Sequence, residues 1–100
     1  MQKDITISWG KFRNECVNNV SGNPVQLSED STFVCQRGVL VKARNGNTGT
    51  IYVGYSPALT DSTHGYELGS GESVFIEVNR VSKIYVSAST NDQGVCWIAV

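Results

Sequence analysis

Apolar residues recur at every second position in several short segments of this chain, and that period dictates what it can fold into. Val39, Val41 and Ala43 share one face of an extended segment, while Lys42 and Arg44 point the other way. Thr50-Ile51-Tyr52-Val53-Gly54-Tyr55 is β-branched and aromatic, a composition that suits a pleated surface. In the stretch Glu72 to Val78, Val74, Ile76 and Val78 oppose Phe75 and Glu77. Ile84, Val86 and Ala88 oppose Tyr85 and Ser87, and Val95-Cys96-Trp97-Ile98-Ala99-Val100 closes the chain as an apolar strand. Trp97 and about half of the tyrosines are expected to be core or edge cover.

Turn chemistry separates these segments. Asn45-Gly46-Asn47-Thr48-Gly49, Gly69-Ser70-Gly71 and Asn91-Asp92-Gln93-Gly94 contain the residues that tolerate positive φ. Residues 56–65 include Pro57 and Asp61 and predict a longer surface loop. Residues 65–71 contain three glycines and are read as turn, not as a phosphate cradle. Strands at a spacing of about ten residues with short turns describe an antiparallel β-sandwich or barrel. The expectation is an all-β fold of about seven or eight strands, in one domain over residues 1–100.

The first third is less regular. Asp4-Ile5-Thr6-Ile7-Ser8-Trp9 alternates like a strand. Phe12, Cys16 and Val20 fall at helical spacing, but Asn14, Val17, Asn18 and Asn19 are poor helix formers, so residues 11–20 are expected to be extended or irregular. Short strands are expected at residues 25–27 and 31–36. Residues 1–22 are set apart as a less regular segment and a candidate interface arm.

Composition narrows the function classes. Eight Lys and Arg against nine Asp and Glu give a net charge of −1, without the basic surface that phosphate neutralisation needs, so no nucleic-acid partner is expected. No stretch approaches the ~20 consecutive apolar residues of a membrane helix. The N-terminus lacks the basic-then-apolar order of a signal peptide, and the expectation is a protein that stays where it is made. The three cysteines, Cys16, Cys35 and Cys96, are widely spaced with no Cys-x-x-Cys pair, which argues against zinc. Three reduced thiols are expected, with a Cys16–Cys35 bridge as the alternative.

Catalytic signatures are weak. His64 shares one loop with Asp61 and Ser62, whereas a hydrolase needs nucleophile, base and carboxylate converging in space. Glu72 and Glu77 lie five apart in a strand and point to opposite faces. No P-loop, His-Glu-x-x-His or calcium loop occurs. The reading is therefore not an enzyme, with no catalytic residue, no metal and no cofactor. The aromatics Trp9, Tyr52, Tyr55, Tyr66 and Tyr85 are the remaining candidates, as interface anchors or as platforms for sugar rings. Tyr52, on the face opposite Ile51 and Val53, and Tyr66, beside the loop, are the foremost of these.

Four phrases carry a likeness to a known family: Gly38-Val39-Leu40-Val41-Lys42-Ala43, Asn47-Thr48-Gly49-Thr50-Ile51-Tyr52-Val53-Gly54, Gly65-Tyr66-Glu67-Leu68-Gly69-Ser70-Gly71-Glu72-Ser73-Val74 and Ser82-Lys83-Ile84-Tyr85-Val86-Ser87-Ala88. In this order, from Gly38 onward, the chain resembles small β-rich structural proteins of tailed bacteriophages, particularly the head-decoration or cement type. The resemblance implies a virion protein on the capsid surface, made in the bacterial cytoplasm. It would bind the major capsid protein, often as a trimer, and clamp neighbouring capsomers. Its implied interface residues are Ile5, Ile7, Trp9 and Phe12 in the N-terminal segment, with Tyr52 and Tyr66. An unpaired cysteine would suit the reducing cytoplasm. The competing readings are a carbohydrate-binding sandwich of a tail fibre or surface protein, and another head–tail or tail component.

Overall fold

A computed structural model describes residues 12–100. Among them, eight strands form two four-stranded antiparallel sheets. In chain order these are β1 (Arg13–Val20), β2 (Val25–Gln26), β3 (Val39–Ala43), β4 (Ile51–Gly54), β5 (Tyr66–Leu68), β6 (Ser73–Ile76), β7 (Tyr85–Ala88) and β8 (Gln93–Ala99). The first sheet has the order β1-β8-β3-β6, the second β2-β7-β4-β5. Neither closes on itself, so of the two architectures the sequence allows, the chain takes the sandwich.

The period-two segments face each other across the core. Val39, Val41 and Ala43 of β3 lie beside Val95, Trp97 and Ala99 of β8, all buried. Ile51 and Val53 of β4, with Val86 and Ala88 of β7, close the core from the second sheet. Each fully buried Val or Ile contributes about 1.5–3 kcal/mol relative to exposure. Trp97 is in the core, and its indole N–H donates to the Leu27 carbonyl at 3.2 Å, so burying the ring leaves no polar atom stranded.

Three elements refine or correct the sequence reading. Residues 13–20, expected to be extended or irregular, are extended: they form β1, paired to β8 along most of its length. The register shifts between Val17 and Val20, and Asn19 adopts a left-handed φ of 61°. Val17 pairs with inward-facing Val95, and simple alternation would then turn Val20 outward. The bulge supplies the extra residue and returns Val20 to the core, where it is 1% exposed. The bulge thus brings Val17 and Val20, three residues apart, to the core side, while Cys16 stays on the exposed face. The second difference is β5, which occupies residues read as turn and pairs Leu68 with Ile51. Third, residues 31–36 are irregular, with a turn at 31–32 and a bend at 36, rather than a strand. The Cys35 N–H donates to the Asn79 carbonyl at 2.7 Å, which satisfies the backbone there without a sheet partner.

The cysteines also depart from expectation. Cys16 and Cys96 form a disulfide, and Cys35 alone is free and buried. Neither three thiols nor a Cys16–Cys35 bridge is realised, because pairing of β1 with β8 sets Cys16 directly opposite Cys96.

Candidate functional site: an apolar groove between two free strand edges

Among the described residues, each sheet ends on one side in an edge strand with no further partner, β6 in the first and β5 in the second. Between these edges the sandwich opens into a groove of about 610 Å³. Its floor is Val53 and Ile84, and one wall is Val74, Ile76 and Val78. The strand period builds that wall: Val74 and Ile76 turn towards the core and remain half-buried, while Phe75 between them points out and is 45% exposed. Tyr55 and Tyr66 flank the mouth, 73% and 62% exposed, and Lys83 adds a cation to the lining. Tyr66 pairs with Val53 and so shares its inward face, yet β5 lies at the sheet edge and the ring stays accessible. The groove is thus an apolar slot with phenol hydroxyls and one ammonium near its mouth.

Tyr52 takes no part in it. The sequence reading placed Tyr52 on an exposed face, but the ring is 8% exposed. The loop over residues 56–65 folds down onto that face. The Ser87 hydroxyl, from the residue paired with Tyr52, donates to the Thr60 carbonyl at 2.8 Å, and Thr60 is fully buried. The loop comes so close at Gly65 that an added Cβ would stand 2.6 Å from Tyr52 Cβ. Within the loop, the Asp61 carboxylate accepts the Thr63 and His64 backbone N–H groups at 2.9 and 2.8 Å, and its Oδ1 lies 3.0 Å from His64 Nδ1. These contacts, the His64 N–H foremost, hold the Asp61 carboxyl below its usual value. Asp61 and His64 are accordingly a loop latch.

A second accessible surface lies on the outer face of the first sheet. Leu40 pairs with Phe75 on one side and Ile98 on the other, and Ile98 pairs with Asn14. Phe12, two residues before Asn14 on the same alternation, is 47% exposed. Phe12 and Phe75 thus bracket the half-buried Leu40 and Ile98. The individual apolar residues were visible in the sequence, but the register that sets them in one row was not. Of the other residues expected at an interface, Ile5, Ile7 and Trp9 lie outside the described residues.

The first residue of β1 carries a charged cluster. Arg13 reaches Asp30 at 2.6 Å and Glu15 at 3.0 Å, and its guanidinium stands 5.7 Å from the centre of the Phe33 ring. Asp30 also accepts the Thr32 hydroxyl at 2.5 Å and the Thr32 N–H at 2.9 Å. The hydrogen bonds from Thr32 and then from Arg13 hold the Asp30 carboxyl well below the ordinary carboxylate range. This cluster anchors the 28–33 segment to the edge strand.

Among the described residues, no three His, Cys, Asp or Glu side chains converge as a metal site, and no helix is long and apolar enough to cross a membrane. Comparison with known protein families and with curated proteins finds no match.

Proposed function

We propose that this chain is a non-enzymatic structural protein of a virion, of the head-decoration or cement type, which binds the major capsid protein by surface contact. The observation that carries this reading is the row Phe75, Leu40 and Ile98 with Phe12 beside it, an apolar strip on the outer face of a rigid sheet. A clamp between capsomers needs such a flat face, and repetition over a lattice sums many weak contacts. The resemblance of residues 38–100 to phage structural proteins suggests the capsid as the occupant of that face.

Co-sedimentation with purified phage heads, followed by imaging of the shell, tests the reading. Saturable binding at regular lattice positions is expected, together with loss of binding in the Phe12→Ser, Phe75→Ser double variant. Absence of binding to expanded shells overturns it. A second reading, a carbohydrate-binding sandwich, is favoured by Tyr55 and Tyr66 at the groove mouth, where phenol rings can stack on sugar. Affinity for a surface polysaccharide, lost in Tyr66→Ala, would move the conclusion there.

A further inference from the structure

We propose that the groove between β5 and β6 receives residues 4–9 of a second copy of this chain, added as an extra strand. Three observations converge on that occupant. The groove wall offers Val74, Ile76 and Val78, apolar groups at every second residue beside the edge of β6, which has no second partner among the described residues. Residues 4–9 supply the same period, with Ile5, Ile7 and Trp9 on one side and Thr6 and Ser8 on the other. A strand entering the slot this way satisfies the backbone groups of the β6 edge and buries its apolar side in one step. The charges also complement: Asp4 adjoins Ile5, and the lining carries Lys83.

The length of the chain decides that the strand comes from a neighbour. Arg13, Ala99, Val39 and Ile76 lie in one register row across the first sheet. Three strand spacings separate Arg13 from β6 and a fourth separates it from a strand added beyond β6, roughly 19 Å at about 4.8 Å each. Trp9 stands four residues before Arg13, and four residues span at most about 14 Å fully extended. From its own β1, Trp9 could not reach that position. In a neighbour's groove no such limit applies. Joints of this kind are heterologous, since the segment of one copy meets the groove of the next. They close into a ring or continue as a chain.

The test is complementation between two full-length variants. Ile7→Asp puts a charge on the donated strand, and Tyr66→Arg blocks the groove mouth at a side chain already largely exposed. Circular dichroism and dispersed amide spectra confirm that both fold. Light scattering across a concentration series then reads assembly. The wild type self-associates, and each variant alone does so about tenfold or more weakly. Their equimolar mixture forms dimers, because the intact segment of Tyr66→Arg enters the intact groove of Ile7→Asp. A monomeric wild type, a variant that assembles as the wild type does, or a mixture no more associated than its components overturns the proposal. The readout needs no capsid, so its failure and that of the virion reading are distinguishable.

Discussion

Cys16 and Cys96 are cross-strand partners, 80 residues apart in the sequence with Cα atoms 4.0 Å apart and sulfurs joined. The bridge ties edge strand β1 to central strand β8 and encloses most of the chain. By loop-closure entropy such a link restrains the unfolded chain by about 4–5 kcal/mol. Reduction, or the Cys16→Ala, Cys96→Ala double variant, is expected to lower the melting temperature by roughly 10 °C or more. Unchanged melting would mean that β1 is held by packing alone. Under non-reducing conditions a thiol reagent is expected to find its only target, Cys35, after unfolding; burial shields that thiol and pushes its pKa up.

Acid stability should follow Asp30 and Asp61. Both carboxyls are held below the ordinary value of 3.8 in the folded chain, Asp30 by Thr32 and Arg13, Asp61 by the His64 backbone. A depressed folded pKa stabilises above the unfolded value, and that contribution is lost as pH falls below it. Denaturant midpoints are expected to be flat in this respect above about pH 5 and to fall below about pH 4. Asp30→Asn should shallow the acid limb, and a limb of unchanged slope would show that other carboxylates govern it.

Gln93 is a buried polar hub, 4% exposed. Its carbonyl accepts the Thr48 and Gly49 N–H groups at 2.8 and 2.9 Å, and its amide donates to the Asn91 carbonyl at 2.8 Å. Gln93→Leu keeps much of the volume but strands two backbone donors, which costs about 2–4 kcal/mol. Urea unfolding measures this directly. A change under about 0.5 kcal/mol would mean that water replaces the amide.

Gly65 lets the loop close over Tyr52. Gly65→Ala must open that contact, since its Cβ would meet Tyr52 Cβ and the Asp61 carbonyl within 3 Å. A loss of about 1–3 kcal/mol is expected, with faster amide exchange in residues 56–65. Wild-type stability with Tyr52 still protected would show that the loop shifts without cost.

The sequence by itself determined the fold class. Val39, Val41 and Ala43, or Ile84, Val86 and Ala88, alternate at a period that fits a half-buried strand, and the short Asn- and Gly-containing turns between such segments suit a sandwich or barrel of antiparallel strands. Tyr66 was placed at an accessible surface for the same local reason, its position beside a loop. Tertiary structure decided what depends on partners remote in the chain. The bulge at Asn19 breaks the alternation of β1, and the partner of Cys16 stands 80 residues away. Tyr52 is buried because the following loop turns back over it, a contact that strand alternation does not encode. The groove exists because β5 and β6 end their sheets on the same side, and the outer row exists because Leu40 falls in register with both Phe75 and Ile98. Alternation fixes which face a residue takes; only the pairing of sheets fixes what lies against that face.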